Sequence, residues 1–245
     1  MTLSSRVVFI VILITVLSAC STLSVNDKPS KHIAGDPFEG INRSIYAFNS
    51  GADKLLMKPA AKTYTKLIPK PAKQGVNHFL SNLGEPLNAL NNLLQGKFER
   101  ALISTYRFAV NSTIGVFGLF DVAKNYDVEP AKEDFGQTLA AWGVGPGPYL
   151  VLPFAGPTNL RDGFGRLADT AALYPHDRIT NTDNQLTGLV LLDVLALRTT
   201  FLGTDDVLDS QLDPYAFLKR VFEQNRIEAI YDGSPPQTVE EDYEF

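Results

Sequence analysis

The chain of 245 residues contains one cysteine, two methionines, one tryptophan and three histidines. A single thiol excludes an internal disulfide framework and a cysteine-rich zinc site. No two of the histidines have the spacing of metal ligands on one helix turn: they are His32, His78 and His176. The sequence His176-Asp177 is more typical of a turn than of a base with its orienting carboxylate. We therefore expect no metal, no cofactor and no catalytic residues.

Three further absences narrow the function. The sequence has no Gly-x-Ser-x-Gly elbow of the kind that carries a lipase serine. It has 22 basic against 27 acidic residues and no basic stripe, so the charge balance argues against nucleic-acid binding. After residue 19, no apolar run reaches the length of about 18 residues that a membrane-spanning helix needs. We expect a protein that is not an enzyme and has no spanning helix in its folded part.

The N-terminus has the pattern of a lipoprotein export signal. Arg6 precedes an apolar run that is too short to span a bilayer, and Leu17-Ser18-Ala19-Cys20 matches a lipobox. This predicts a signal peptide over residues 1–19, lipid attachment at Cys20 and a polar tether over residues 20–35. An ordinary signal peptide with an accidental cysteine is the alternative. Ser21, in place of an aspartate, favours the inner leaflet of the outer membrane.

Beyond the tether, apolar residues recur at intervals of three and four, the spacing of one helix face. Asp36-Pro37 and Asp213-Pro214 have the composition of helix starts. We predict a mostly α domain over residues 36–232, in which prolines separate short helices, and a disordered acidic tail over residues 233–245. The predicted helix faces lie in Ile41–Leu55, Val76–Leu83, Leu87–Leu94, Leu102–Val110 and Tyr215–Phe222.

The least regular segment, Trp142–Pro157, reads WGVGPGPYLVLPFAGP. Its glycines and four prolines exclude a regular helix, and its apolar side chains need cover from protein or lipid. A buried connector and a hairpin at a lipid-contacting surface are both open. Arg161-Asp162 follows directly, either as a helix cap with surface charges or as a polar wall for lipid headgroups.

A second apolar segment, Leu186–Leu197, is interrupted in its apolar core only by Asp193. A helix that is apolar all round is either buried or surrounded by lipid, and this one is about as long as one leaflet is thick. A core helix and a lipid-facing helix are equally open. In the second case, Leu189 and Leu192 are expected to face the membrane.

Four separated motifs resemble the MlaA/VacJ family of outer-membrane lipoproteins. They cover nearly the whole chain after the lipobox, in the expected order. The motifs are DPFEGINRSIYAFN at 36–49, RFAVNSTIGVFGLFDVA at 107–123, EDFGQTLAAWGVGPGPYLVLPFAGP at 133–157 with Arg161-Asp162 beyond it, and Asp213-Pro214-Tyr215.

The resemblance implies a ring of short amphipathic and apolar helices around a central channel, with the Gly/Pro-rich hairpin at residues 145–154. It implies removal of mislocalised phospholipids from the outer leaflet, transfer to a soluble periplasmic carrier, and association with trimeric porins. A membrane-surface phospholipase and a structural lipoprotein that scaffolds porins are the alternatives. We expect Asp162→Ala to impair lipid removal without loss of folding. The lipid path implied by the resemblance comprises Gly145, Gly147, Tyr149, Leu150, Leu152, Phe154, Arg161 and Asp162.

Overall fold

The computed structural model describes residues 36–173 and 183–236. The expectations for the signal peptide, for Cys20 and the tether, for His32 and for His176-Asp177 lie outside these residues, as does the acidic tail beyond residue 236. The described part is mostly helical and contains one small two-stranded sheet, which confirms the predicted fold class.

The helices are α1 (Glu39–Ala52), α2 (Lys58–Leu67), α3 (Lys70–Leu94), α4 (Phe98–Thr113), α5 (Phe135–Ala141), α6 (Leu160–Leu173), α7 (Asp183–Thr200), α8 (Asp205–Asp209) and α9 (Pro214–Ile230). A π-helical turn, Asp53–Met57, joins α1 to α2, and a 3-10 turn, Ala123–Tyr126, lies between α4 and α5. The antiparallel strands are β1 (Tyr149–Leu152) and β2 (Gly156–Asn159), with Tyr149 opposite Asn159.

Both predicted helix starts carry an aspartate that accepts backbone hydrogen bonds. Asp213 Oδ1 accepts from the Ala216 amide at 3.1 Å, the geometry of an N-cap at the start of α9. Asp36 Oδ1 accepts from the Phe38 amide at 3.1 Å, but it does so in a turn that precedes α1. The first helix therefore begins slightly later than Asp36-Pro37 indicated.

The prediction that Pro86 separates two helices is wrong. Helix α3 runs through it for 25 residues. Proline removes one backbone donor, which costs a helix about 3 kcal/mol in isolation. The long helix persists because α3 packs against α4 in the most extensive contact between described elements. Tertiary packing thus outweighs the local preference of the proline.

The hairpin lies later in the chain than predicted. Residues 145–148 precede the first strand and have no regular structure, and the second strand is Gly156–Asn159. The tight turn contains Phe154 at φ 61°, and Gly156 at φ 77° follows it. Glycine adopts this left-handed conformation without a steric penalty. The sequence pattern located the hairpin segment but not its register, because apolar residues continue on both sides of the turn.

A small aromatic core holds the hairpin between α1 and α9. Tyr149 and Val151 of β1 and Tyr215 of α9 are buried together. The Tyr149 ring lies 5.9 Å from that of Phe222 and 6.2 Å from that of Tyr215, in tilted and edge-to-face arrangements. One face of the hairpin is thereby fixed to the helical body.

Candidate functional site

The described residues are distributed in the reverse of the usual pattern for a water-soluble protein. Fifteen polar or charged residues are buried, whereas only nine hydrophobic residues are, and six of those are alanines. Large apolar side chains are exposed on all the described helices except α5 and α9. Soluble proteins rarely expose so many large apolar side chains while burying so few, and large exposed apolar patches mark contact with lipid or with another protein.

We call the exposed large apolar side chains the apolar surface. On the predicted helix faces it includes residues that in a soluble bundle would form the core. Representative members are Ile41 and Phe48 of α1, Leu55 of the π-helical turn, Leu102 of α4, Leu167 of α6 and Leu191 of α7. Within the described ranges, no helix combines the length and the apolarity that crossing a membrane requires.

The turn after α4 carries the most concentrated part of the apolar surface. Val116 and Phe117 both have left-handed backbones, at φ 52° and 57°, and Phe117 is 77% exposed. This conformation is unfavourable for a β-branched residue and persists only where the surroundings impose it. Here the Gly118 amide donates to the Asn111 carbonyl at 2.7 Å, and a Cβ at Gly118 would lie 2.7 Å from Asn82. The fold therefore holds an apolar turn outward at a cost in backbone strain.

The buried seam between α3 and α4 is ionic. Arg107, 2% exposed, donates from Nε to Glu85 Oε1 at 2.8 Å and from Nη2 to Asp121 Oδ2 at 2.9 Å. Asn111 donates to the other oxygen of Asp121 at 3.0 Å. Burial alone would raise the pKa of Asp121, but the hydrogen bonds from Arg107 and Asn111 outweigh it and lower that pKa. The helix pair is thus held by satisfied charges and not by an apolar core.

Arg161 and Asp162 belong to a second buried ionic group. They lie in the first turn of α6, where Arg161 Nε donates to Asp162 Oδ1 at 2.9 Å. Asp162 also accepts from Asn159 at 2.6 Å and from Arg226 Nη2 at 2.9 Å. Arg226 reaches Asp134 in a bidentate pair at 2.6 and 2.7 Å.

The alternative that Arg161 and Asp162 are surface charges is wrong, because both residues are buried. Burial alone would raise the pKa of Asp134, but the bidentate bond from Arg226 holds it below its usual value. Because three side chains donate to Asp162, its removal would cost Arg161 its only carboxylate partner among the described contacts and would leave Arg226 with Asp134 alone. We therefore expect Asp162→Ala to cost folding stability, contrary to the expectation from the resemblance. A place on a channel wall stays a prediction.

The remaining residues of the predicted lipid path differ in their exposure. Tyr149 is buried, and Leu150 and Leu152 are half-buried. Gly145, Gly147 and Phe154 are exposed. Phe154, at the tip, stacks edge-to-face on Phe48 of α1 with 5.2 Å between ring centroids, and both rings belong to the apolar surface.

Two asparagines of α1 bind the free edge of β1, and nothing in the sequence singles them out beyond their spacing of seven. Asn42 donates to the Tyr149 carbonyl at 3.0 Å and accepts from the Val151 amide at 2.9 Å. Asn49 donates to the Leu152 carbonyl at 2.9 Å and accepts from the Phe154 amide at 2.8 Å. Each side-chain amide thus replaces a strand residue and ties the hairpin to α1.

A cavity of about 420 Å³ lies between α3 and α7. From α3, the side chains of Asn77, Leu80, Ser81 and Asn88 line it together with Gly84; α7 contributes Asp193, Ala196, Leu197 and Thr200, and Lys132 lies at its border. Apolar and polar groups therefore share its wall, as an amphipathic ligand requires.

The apolar segment identified in the sequence forms the α7 wall of this cavity. Val190, Leu191 and Leu197 are exposed members of the apolar surface, whereas Leu192, which we expected to face lipid, is half-buried. The side chain of Leu189 lies outside the described ones. The apolar run predicts α7, whereas the polar residues of the α3 wall, from Asn77 to Asn88, have no distinctive motif in the sequence.

The end of α7 is anchored by charge. Arg198 donates to both carboxylate oxygens of Asp53 at 2.6 and 2.9 Å, and to Asp205 at 2.9 Å. Hydrogen bonding to Asp53 raises the pKa of Arg198, which therefore stays charged. These contacts fix α7 against the π-helical turn and hold the wall of the cavity in place.

Comparison with known proteins gives one consistent result. The model of a family described as MlaA lipoprotein matches residues 34–229. The chain belongs to the MlaA lipoprotein family.

Several MlaA-family relatives are similar over most of their length. An uncharacterized protein of Rickettsia bellii is 39% identical over 78% of this chain and 75% of its own. The protein named intermembrane phospholipid transport system lipoprotein MlaA is 35% identical in Shigella flexneri and 34% identical in Escherichia coli. In both cases the match covers 86% of this chain and 82% of the relative.

A solved structure has the same fold as this chain. It is described as the structural basis for maintenance of bacterial outer membrane lipid asymmetry. Its TM-score is 0.70 at 31% identity, and the match covers 81% of this chain and 99% of that one. The apolar surface and the amphipathic cavity thus occur on the fold of a protein studied in relation to membrane lipids. Among the described residues, no group of three or more His, Cys, Asp or Glu side chains is placed to hold a metal ion.

Proposed function

We propose that this chain is a lipid-anchored outer-membrane protein that takes mislocalised phospholipids from the outer leaflet and passes them toward the periplasm. The observation that carries the proposal is the pairing of an exposed apolar surface with an open, amphipathic cavity between α3 and α7. An apolar exterior lowers the free energy of the body in hydrocarbon, and a cavity with both kinds of wall accommodates a headgroup beside its acyl chains.

The position in the membrane follows from helix length and surface. Helix α7 has 18 residues and spans about 27 Å along its axis, which is more than the thickness of one leaflet, so it would lie inclined if it stays within that leaflet. With acylation at Cys20, the body would rest in the inner leaflet. Trimeric porins and a soluble periplasmic carrier are the partners we propose on the two sides of this route.

The route is tested by filling the cavity. A Cβ at Gly84 meets no atom within 4 Å, so a large side chain there enters open space without a backbone clash. A Gram-negative strain that lacks its own family member would express the full chain, Gly84→Trp or Gly84→Ala. We expect the chain and Gly84→Ala to lower the outer-leaflet phospholipid that an added phospholipase can reach, and Gly84→Trp to fail.

Gly51 of α1 is the matched control position, because a Cβ there would also meet no atom within 4 Å and Gly51 does not line the cavity. Clearance by Gly84→Trp equal to that by Gly51→Trp would remove the cavity from the route. A separate experiment distinguishes transport from phospholipase activity: the purified protein is incubated with labelled phospholipid. A phospholipase would release fatty acid, whereas a transport protein would leave the lipid intact. A porin scaffold predicts porin binding but normal lipid distribution in Gly84→Trp cells.

Membrane depth is tested separately. A photoreactive residue at Phe117 or Leu191 should crosslink to acyl chains, because both side chains belong to the apolar surface. The same residue placed at the exposed, charged position Lys124 is the control. Absence of lipid crosslinks at both apolar positions would contradict the embedded body.

A further inference from the structure

Two charges of opposite sign border the α3–α7 cavity, and neither is used in the fold. Lys132 and Asp193 make no ion pair or side-chain hydrogen bond among the described contacts, while both lie at the cavity. By contrast, the buried cations Arg107 and Arg161 and the half-buried Arg226 all have carboxylate partners. A charge that is left without a partner beside a cavity is available to a ligand.

The two charges enter from different walls. Asp193 projects from α7, where its flanking residues Leu192 and Val194 are apolar. Lys132 belongs to a segment that is attached to α3: Asn88 accepts from the Glu133 amide at 3.2 Å, and Asn92 donates to the Ala131 carbonyl at 3.0 Å. The cavity therefore has an anionic wall and a cationic border.

The surroundings of Asp193 strengthen the interaction of its carboxylate with a charged ligand. Partial loss of water around the carboxyl raises the pKa of Asp193, although the residue is exposed as a whole. In such a site a carboxylate gains more from a cation than it would in bulk water, and it repels an anion more strongly. Lys132, a point charge with three donors, suits a phosphate.

We propose that Asp193 and Lys132 form a headgroup subsite that selects zwitterionic, amine-bearing phospholipids over anionic ones. The ammonium group would lie at Asp193 and the phosphate at Lys132, with Asn88, Ser81 and Thr200 as polar neighbours. Leu80, Ala196 and Leu197 supply the apolar wall beside them, which a free phosphate or amine would not use. An anionic headgroup without an amine leaves Asp193 unpaired beside a second negative charge. This inference rests on the proposed transport function and specifies its substrate class.

The test uses the full lipidated chain, reconstituted into vesicles that contain equal amounts of labelled phosphatidylethanolamine and phosphatidylglycerol with identical acyl chains. Transfer of each lipid to acceptor vesicles is measured. We expect a preference of about fivefold for the ethanolamine lipid, since unpaired like charges at a binding site discriminate strongly against a ligand. Asp193→Asn should reduce the preference to less than about twofold by raising transfer of the anionic lipid, and Asp193→Lys should reverse it.

Lys132→Gln should slow transfer of both lipids, because both carry a phosphate. Asp206→Asn is the matched control, since Asp206 is an exposed carboxylate of α8 that does not line the cavity, and it should leave the preference unchanged. Far-ultraviolet circular dichroism confirms that each variant is folded.

The outcomes separate the two proposals. If the unmodified chain transfers neither lipid, the transport function itself fails. If it transfers both equally, or if Asp193→Lys retains the preference for the ethanolamine lipid, transport stands and the headgroup subsite is refuted.

Discussion

Helix α3 has two polar faces that behave in opposite ways. The face toward α4 contains Glu85, 1% exposed and paired with Arg107. The face toward α7 contains Ser81, Gly84 and Asn88 and borders the cavity, with Asp193 unpaired across from it. Both faces are polar in sequence. The two faces thus differ in whether their charges are paired: they are paired in the contact with α4 and unpaired at the cavity, where we propose a ligand site.

The largest loss of folding stability should come from breaking the ion pairs between α3 and α4. Arg107→Ala leaves Glu85 buried without its partner and removes a donor to Asp121, so we expect a loss of about 3–5 kcal/mol in the free energy of unfolding. Denaturant unfolding in detergent micelles measures it. Arg166→Ala, which removes an exposed arginine from α6, should cost under about 0.5 kcal/mol. Similar stabilities for the two variants would show that the α3–α4 seam does not depend on its ion pair.

A slightly smaller loss of folding stability is expected from a change in the second buried ionic group, which contains Arg161 and Asp162. Asp162→Ala should cost about 3 kcal/mol because Arg161 and Arg226 lose a shared acceptor. The thermal midpoint in micelles is the measurement. Because the change destabilises the fold, a transport defect of this variant says nothing about a channel wall unless its folded fraction is measured as well. An unchanged midpoint would contradict the structural role.

The asparagines of α1 should give intermediate effects. Asn42→Ala removes a buried amide that binds β1 on both sides, and we expect a loss of about 2 kcal/mol. Asn49 is less buried, so Asn49→Ala should cost about 1 kcal/mol. Hydrogen exchange at the Val151 amide reports the contact with Asn42, and exchange at the Phe154 amide reports the contact with Asn49. We call these two contacts the clamps. Exchange that is faster at both amides in both variants would indicate one cooperative hairpin and not two separate clamps.

The smallest change in folding stability is expected at the cavity between α3 and α7, and there we expect a gain in stability and not a loss. The pKa of Asp193 is raised in the fold, so ionisation of Asp193 disfavours the folded state above that pKa. Asp193→Asn should therefore be slightly more stable than the unmodified chain at neutral pH. The difference should shrink as the pH falls through the raised pKa toward the ordinary carboxyl value. A variant that is markedly less stable at pH 7 would mean that Asp193 has a structural partner.

Apolar spacing predicted α1, α4 and α9, and the continuous apolar run predicted α7, because both patterns depend on near neighbours. The helices α2, α5, α6 and α8 have no such pattern in the sequence and were not predicted. Pro86 shows the limit: its local preference lost to packing between α3 and α4, which no local pattern reveals. The hairpin register was likewise missed, since it is fixed by contacts of β1 with Asn42 and Asn49 that are about a hundred residues away in sequence.

The candidate site shows the same division. Leu186–Leu197 stood out in the sequence because it is an apolar run, which only Asp193 interrupts in its core. The opposite wall did not, since Asn77, Ser81 and Asn88 are ordinary polar residues until α3 brings them to one cavity. Arg161 and Asp162 were noticed as a charged pair, but burial decided that they hold other residues in place.

The order of residues along the chain is enough to specify the helical content, the lipobox pattern and the apolar character of α7, since each depends on near neighbours. Packing in three dimensions selected which side of each helix faces outward. An amphipathic pattern specifies two faces but not which of them is buried, and that choice depends on the solvent and on whether the polar groups find partners. Here Glu85, Arg107 and Asp162 find them inside, which leaves the apolar side chains outside and two charges available at a cavity.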